Sequence, residues 1–418
     1  MCRVKRDKEF PIPRMTGTGM SLAHLDYAVV VTSEATSDTK APMKKKCAIL
    51  TSFDPYSFKG GIETYTRQLL TVLQANDFTV DIYHTGRLPH THKMKHAPSP
   101  FLHSPFLHSL YQVGQGFYQV DHLYDIVIGH AFFGFGYTPP RIPAVTIFHS
   151  THAQYAEANR MLFSPAWYFE VKYLFGLGAE RLSTIGRQCI AVSEAVAQEI
   201  TTHYGAARVL TLPTGVDRTT FFPRSNKGQL RDQFGIPREA FVGVFLARWG
   251  IDKAVDVLEK IMAGTPDVFW LLILGTGEPC PYKDGPRTKV IENIAHDEVA
   301  RVLSCADFLL HPSRYEGFGL SIAEALACGL PVIATPVGIA PTALRQPPLR
   351  SLLLPSYSEG AERVIAAAVE AIGRLQREPE LRHACMRASL TVAARTLDLQ
   401  QWERGFLAAL ALAGDAPA

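Results

Sequence analysis

The stretch at residues 308–339 constrains the fold more than any other part of the chain. A short apolar run at 308–311 reads as a buried strand, and a turn with two glycines follows it. Residues 320–328 are rich in Ala and Leu, which favour helix, and Gly329 is placed to end that helix. Residues 332–335 again have the composition of a strand. The order strand, turn, helix, strand predicts a parallel crossover unit.

Two carboxylates occupy an unusual place in this unit. Glu316 lies in the turn before the predicted helix, and Glu324 lies about one turn inside it. Both are therefore close to a helix N-terminus, where free backbone N–H groups and the helix dipole attract an anion. A carboxylate pair beside an anion site indicates a ligand that carries both phosphate and hydroxyl groups.

The same alternation of strand and helix runs through both halves of the chain. The predicted strands are 47–52, 80–84, 124–129, 144–149, 188–193, 209–212, 241–246, 268–274, 288–292, 308–311 and 332–335, and the predicted helices are 62–74, 194–204, 254–262, 296–305, 320–328 and much of 360–413. A chain of 418 residues exceeds one ordinary core. We therefore predict an α/β protein with two Rossmann-like, doubly wound domains.

A proline- and glycine-bearing run at 213–223 marks the predicted boundary between the two domains. The predicted domains are 44–220 and 221–395, with a last helix in 396–418 that packs back toward the first domain. Residues 1–43 lack periodicity and an apolar signal core, so they are interpreted as a disordered extension or as an upstream start ahead of Met43.

Composition excludes several classes of protein. Lys plus Arg (42) nearly equals Asp plus Glu (39), which argues against general nucleic-acid binding. The seven cysteines include no C-x-x-C pair and lie mostly in apolar segments, so they predict a reduced, cytoplasmic protein. No apolar run approaches the roughly 18 residues that a transmembrane helix needs.

Residues 84–122 contain seven of the fifteen histidines and a short tandem repeat, S-P-F-L-H twice over. Such a density of histidines can indicate metal binding, but the spacings match no known site and no cysteine or paired carboxylate accompanies them. An exposed loop with a short amphipathic helix is the preferred interpretation. Because Phe, Leu, Lys and His are mixed here, peripheral contact with lipid headgroups at the inner membrane surface is a second hypothesis.

Further candidate site residues follow other predicted strands. His149 closes a strand at its carboxyl end, where open α/β sheets bind ligands. Gly60 and Gly61 lie in a loop between a strand and a helix, where the backbone can approach a phosphate. Arg248 and Lys253 are five residues apart near a helix start and suit a diphosphate. A G-x-G at 275–277 lacks the third glycine of a dinucleotide fingerprint, which argues against a dehydrogenase.

Taken together, the motifs resemble the retaining family 4 glycosyltransferases of GT-B fold. The resemblance rests on A-R-W-G-I-D-K at 247–253, L-L-I-L-G-T-G-E at 271–278 and the opening stretch, in which two glutamates are separated by seven residues. K-G-G-I-E-T at 59–64, C-I-A-V-S-E at 189–194 and L-P-T-G-V-D at 212–217 agree with it.

The resemblance implies a role for each matching residue. The diphosphate of a nucleotide sugar is expected on Arg248, Lys253 and the backbone of the turn Gly317, Phe318, Gly319 and Leu320, with Gly60 and Gly61 approaching it from the other domain. Glu324 is expected to bind the ribose hydroxyls, and Glu316 the donor sugar. His149 is expected near the reacting sugar, with His152 as its rival.

The resemblance also implies a mechanism. A hexose is transferred from a nucleoside diphosphate sugar to a glycan, glycolipid or small-molecule hydroxyl by front-face retention, with Glu316, His149, Arg248 and Lys253 as the catalytic group and with no metal or other cofactor. The alternatives are a catalytically silent GT-B nucleotide-binding protein and a nucleotide-sugar epimerase on the same fold. The chain departs from the family pattern at Thr214, at Ile339-Ala340 and in the short segment 278–289.

Overall fold

Two parallel sheets organise the protein in the computed structural model, which describes residues 44–51, 54–56, 61–85, 104–275 and 277–414. Both sheets belong to one structural unit that begins at Lys44. The predicted extension at 1–43, residues 86–103 of the histidine-rich segment, and Gly60 lie outside the described residues.

The first sheet has six strands in the order β2-β1-β3-β4-β5-β6, and every neighbouring pair is parallel. Its strands are β1 Lys45–Leu50, β2 Phe78–Tyr83, β3 Ile126–His130, β4 Ala144–Phe148, β5 Gln188–Ala191 and β6 Val209–Thr211. Its helices are α1 Gly61–Ala75, α2 Pro105–Phe117, α3 His152–Ala158, α4 Pro165–Phe169 and α5 Glu194–Tyr204, with a π-helical segment at Glu170–Glu180.

The second sheet has five strands in the order β11-β10-β7-β8-β9, again all parallel. Its strands are β7 Phe241–Arg248, β8 Val268–Gly275, β9 Thr288–Glu292, β10 Phe308–His311 and β11 Val332–Ala334. The helices that follow β6 are α6 Lys227–Phe234, α7 Val255–Gly264, α8 His296–Leu303, α9 Leu320–Ala327, α10 Ala340–Ala343, α11 Ala361–Arg377, α12 Pro379–Thr396 and α13 Leu399–Gly414.

The central strands of both sheets are buried on both faces, which is why they read as continuous apolar runs. Strands β3, β4, β5 and β10 are buried along their whole length. Helices cover the two faces of each sheet, and the α/β GT-B architecture predicted from the sequence is confirmed by this topology and by the structural neighbours described below.

The last helix returns to the first sheet. Helix α13 packs beside β4 and β5, and the indole Nε1 of Trp402 donates to the hydroxyl of Tyr65 at 3.3 Å. The backbone N–H of Val216 also donates to the carbonyl of Leu397 at 2.9 Å. The chain therefore crosses between the two sheets twice, once near Val216 and once near Leu397.

Several predicted elements were wrong in extent. Strand β7 runs on to Arg248, which was placed in a loop, because its backbone pairs with β8 as far as Gly275. Strand β3 ends at His130 rather than at residue 129, because it pairs with β4 as far as Ile147. Helices α3 and α4, the π-helical segment and α6 were not predicted at all.

No helix in the described ranges is both long and apolar enough to cross a membrane.

Candidate active site

A cleft of about 580 Å³ opens between the carboxyl edges of the two sheets. The first sheet contributes residues of α1 and of the loop after β4, and the second contributes residues that follow β7 and β10. The lining from the first sheet includes Gly61, Ile62, Thr64, Tyr65, Gln68, His149, Ser150, Tyr155 and Thr214. The lining from the second includes Arg248, Asp252, Lys253, Tyr315, Glu316, Gly317, Phe318, Gly319, Leu320, Ser321 and Glu324.

Lys253 and Glu316 form an ion pair in the floor of the cleft. The Nζ atom of Lys253 lies 2.6 Å from Oε1 of Glu316, and both side chains are mostly buried. Nε2 of His311 lies 3.3 Å from the same oxygen, although it makes no hydrogen bond of regular geometry within the described part of the chain. Burial alone would raise the pKa of Glu316, but Lys253 and His311 lower the pKa well below its ordinary range. Glu316 is therefore ionised at neutral pH.

Arg248 is also paired with a carboxylate. Its Nη2 lies 2.6 Å from Oδ2 of Asp252, a buried side chain whose Oδ1 has no hydrogen-bond partner among the described residues. The Arg248 side chain is 46% exposed, so part of its guanidinium faces solvent. The two cations expected for a diphosphate are thus held by carboxylates, and a diphosphate would have to compete with Asp252 for Arg248.

The N-terminus of helix α9 points into the same cleft. Gly319 precedes the helix with φ of 91°, a left-handed conformation that favours glycine. Gly319, Leu320 and Ser321 all line the cleft. Because the first N–H groups of an α-helix have no partner within the helix, this end offers donors and a positive dipole to an anion.

Glu324 lies further along α9 and is nearly buried. Its Oε1 is 2.8 Å from Nε2 of His296, at the start of α8. The hydrogen bond to Glu324 raises the pKa of His296. His296 therefore orients the carboxylate that the sequence assigns to ribose hydroxyls.

The two halves of the cleft touch through the glycine turn. A Cβ on Gly317 would overlap the carbonyl oxygen of His149, so only glycine allows this approach. The hydroxyl of Ser193 donates to the carbonyl of Gly317 at 2.6 Å. The turn that carries Glu316 is in this way held against the first sheet.

His149 lies at the centre of the first-sheet side. Its Nε2 is 2.9 Å from Nδ1 of the fully buried His130, and its ring stands edge-on to Tyr65. Burial lowers the pKa of His149 to about 4. The imidazole is therefore neutral in the pH range of most enzymes.

His152, the rival to His149, lies elsewhere. Its Nδ1 is 2.7 Å from Oε1 of the buried Glu180, which is also hydrogen-bonded to Tyr204. His152 is not among the residues that line the cleft. The structure thus groups His149, and not His152, with Glu316, Arg248 and Lys253.

The structure brings together every described residue of the predicted site. Gly61, His149, Arg248, Lys253, Gly317, Phe318, Gly319, Leu320 and Glu324 all line the cleft with Glu316. Sequence reasoning missed Asp252, His311 and Tyr155. His311 ends strand β10 just as His149 follows β4, so the rule that picked out His149 could also have found His311.

Two family profiles match the chain, one to each sheet. The profile described as "Glycosyltransferase Family 4" matches residues 59–220, and that described as "Glycosyl transferases group 1" matches residues 237–375. The chain belongs to glycosyltransferase family 4. This assignment confirms the resemblance seen in the sequence motifs.

Several curated relatives of this family 4 protein share one name, D-inositol 3-phosphate glycosyltransferase. The protein from Xylanimonas cellulosilytica is 28% identical over 243 residues, which is 54% of this chain and 57% of that relative. The protein from Thermobifida fusca is 29% identical over 271 residues, which is 58% of this chain and 60% of that relative. The matches therefore span little more than half the length of these relatives.

Solved structures confirm the fold of this family 4 protein. Sucrose-phosphate synthase from Thermosynechococcus elongatus superposes with a TM-score of 0.69 at 20% identity, covering 89% of this chain and 100% of that one. WaaG, a glycosyltransferase involved in lipopolysaccharide biosynthesis, superposes with a TM-score of 0.64 at 17% identity, covering 89% and 100%. Anabaena HepE, solved with UDP and glucose, superposes with a TM-score of 0.60 at 16% identity, covering 88% and 100%.

Proposed function

We propose that this family 4 protein transfers a hexose from a nucleoside diphosphate sugar to a hydroxyl acceptor, with retention of anomeric configuration. The observation that carries the proposal is the cleft itself. One helix N-terminus, two cations and two carboxylates with separate partners converge there between the two sheets. This is the set of groups that a ligand with a diphosphate and two sugars requires.

The diphosphate is assigned to the N-terminus of α9. Backbone N–H groups of the first turn, the exposed part of Arg248 and the ammonium of Lys253 would neutralise the charge that develops on the leaving phosphate. These fixed positive groups supply the charge that a metal ion supplies in other transferases, so we propose a reaction that needs no metal and no other cofactor.

The two glutamates are assigned to the two sugars of the donor. Glu324 would accept hydrogen bonds from the ribose hydroxyls, in the orientation that His296 gives it. Glu316 would accept hydrogen bonds from the hydroxyls of the transferred sugar while Lys253 holds the carboxylate ionised. Gly61 lines the cleft at the first residue of α1 and would let the backbone approach the phosphates.

The reaction would proceed on one face of the sugar. The bond between the anomeric carbon and the phosphate oxygen breaks, and its electron pair leaves with the diphosphate. The acceptor oxygen bonds to the anomeric carbon from the same side, and its proton passes to the departing phosphate oxygen. Catalysis then rests on positioning and on charge stabilisation.

The acceptor class proposed from the sequence is a glycan, a glycolipid or a small hydroxyl compound. The name of the curated relatives makes inositol 3-phosphate the first small acceptor to test. A cytoplasmic location and contact of the histidine-rich segment with a membrane surface remain proposals from the sequence.

The test is a donor panel. UDP-, GDP- and ADP-hexoses are incubated with the protein and a mixture of inositol 3-phosphate, inositol and simple glycosides, and the products are read by mass spectrometry and NMR. We expect one donor to yield a nucleoside diphosphate and an acceptor-linked sugar of unchanged anomeric configuration. Binding without turnover would favour the silent protein, and an isomerised sugar without a linked product would favour the epimerase.

A further inference from the structure

We infer that Thr66 and His130 are positioning residues that fix which ring nitrogen of His149 carries the proton. The three side chains form a hydrogen-bonded row from helix α1, through the end of β3, to the cleft. The consequence for the sugar rests on the proposed function, whereas the proton order itself follows from the geometry.

The row begins at a hydroxyl whose direction is fixed. Oγ1 of Thr66 lies 2.7 Å from the carbonyl oxygen of Ile62 and 3.1 Å from Nε2 of His130. A carbonyl can only accept, so the single hydroxyl proton of Thr66 goes to Ile62. Thr66 can then only accept from His130, and His130 must carry its proton on Nε2.

The second link follows from the first. Thr66 and His130 are both fully buried, and burial, with a smaller contribution from His149, lowers the pKa of His130 well below its ordinary value. A neutral imidazole protonated on Nε2 has an unprotonated Nδ1, which accepts. Nδ1 of His130 lies 2.9 Å from Nε2 of His149, so His149 must donate and must also carry its proton on Nε2.

The packing around the row holds the rings in this arrangement. The ring of Tyr65 stands edge-on to His149 with centroids 4.8 Å apart, and its hydroxyl accepts from Trp402 of α13. The rings of His130 and His149 stack with centroids 5.1 Å apart. A 180° flip of either ring would put carbon atoms where the bonded nitrogens lie, so the two hydrogen bonds of the row themselves fix the ring orientations.

His149 therefore offers an acceptor to the cleft. Its Nδ1 carries a lone pair and makes no hydrogen bond to any described residue. A sugar or acceptor hydroxyl would donate to this atom, and Nδ1 would donate no hydrogen bond to a ligand at neutral pH. Specificity would follow, because a ligand atom that can only accept has no partner at this position.

The direct test is ¹⁵N NMR of histidine-labelled protein without any ligand, with His149→Gln and His130→Gln spectra for assignment. We expect both residues as neutral Nε2–H tautomers at pH 7. Thr66→Val removes the acceptor for His130, so both rings should move their proton to Nδ1, and Thr66→Ser should restore the original tautomers. Thr71→Val is the matched control, because Thr71 makes the same type of bond to a helix carbonyl at an exposed position.

The kinetic test uses the same variants with the active sugar donor. Thr66→Val should lower kcat/KM about tenfold, the effect of losing one hydrogen bond, while binding of the nucleoside diphosphate alone stays unchanged. Thr66→Ser and Thr71→Val should match the wild type. A wild-type His149 protonated on Nδ1, or a Thr66→Val protein with unaltered tautomers, would overturn the inference. If NMR finds the expected tautomers but no sugar is transferred, the result would count only against the proposed function.

Discussion

The hydroxyl of Tyr315 lies 2.8 Å from Oε2 of Glu199 and accepts the backbone N–H of Thr151 at 2.8 Å. Tyr315 belongs to the turn that carries Glu316, whereas Glu199 is on α5 of the first sheet. The hydroxyl of Thr151 also donates to Glu199, at 2.6 Å. The hydrogen bonds among these three side chains connect the turn that carries Glu316 to the first-sheet side of the cleft.

Removing the Tyr315 hydroxyl should weaken this connection between the turn that carries Glu316 and the first sheet. Tyr315→Phe leaves the N–H of Thr151 without its acceptor and removes one of the two donors to Oε2 of Glu199, at a cost of about 1–3 kcal/mol. We expect a several-fold rise in KM for the donor, measured by steady-state kinetics. Tyr173→Phe, which alters a largely exposed ring, is the control. An unchanged KM in Tyr315→Phe would show that the hydrogen bonds of Tyr315 have no role in donor binding.

Glu199 should make stability depend on pH. Burial raises its pKa from 4.5 to about 7, although the bonds from Thr151 and Tyr315 act in the opposite direction. A raised folded-state pKa gives stability that is complete below pH 4.5 and is lost as the pH rises through 7.

The free energy of unfolding of the wild type, measured by urea unfolding, should therefore fall by up to about 3 kcal/mol between pH 4.5 and 7 relative to that of Glu199→Gln. Glu194 lies at an exposed position of the same helix. The free energy of unfolding of Glu194→Gln should therefore depend on pH as that of the wild type does. If the free energies of unfolding of the wild type and Glu199→Gln differed by the same amount at every pH in this range, the result would contradict the raised pKa of Glu199.

Lys253 should be needed for the chemical step. Lys253→Ala removes the charge proposed to stabilise the leaving phosphate and leaves Glu316 without its closest partner. We expect a loss of about a hundredfold in kcat, by analogy with removal of one oxyanion donor. Lys260→Ala, which breaks only the exposed pair with Glu362, should behave as the wild type. Equal rates for the two variants would refute the role of Lys253.

Any side chain at Gly317 should be incompatible with the close contact between the glycine turn and His149. The added methyl of Gly317→Ala would overlap the carbonyl oxygen of His149, so the turn and the first sheet must separate. We expect a larger radius of gyration in solution scattering and a loss of activity. In Gly228→Ala the new methyl would have no atom of a described residue within 4 Å, so this variant serves as the control. Superimposable scattering curves for the two variants would argue against this contact.

The fold was largely accessible from the sequence because its buried strands are continuous apolar runs. Strand β9 was predicted with its observed bounds, and β10 likewise. The helices between His152 and Glu180 were missed, since the π-helical part does not follow a 3.6-residue period and includes Gly176 and Gly178. Strand β3 was ended one residue early, which hid His130 from the candidate site.

Local sequence pattern alone could place residues of the site next to one another only within a single motif. Glu316, Glu324 and the glycine turn lie within one stretch, so their proximity could be predicted. The pairing of Lys253 with Glu316 spans 63 residues of chain, and that of Thr66 with His130 spans 64. Such contacts depend on how strands and helices from distant parts of the chain are placed, and local pattern does not encode this.

The central claim is that the cleft binds a nucleoside diphosphate at the N-terminus of α9, between Arg248 and Lys253. Isothermal titration calorimetry with UDP, GDP and ADP, on the wild type and on Lys253→Ala, tests it most directly. We predict that one of the three nucleotides binds the wild type in the micromolar range and binds Lys253→Ala about a hundredfold more weakly, since one buried charge-assisted contact is lost. Equal affinity of both proteins for that nucleotide, or no binding of any of the three by the wild type, would contradict the claim.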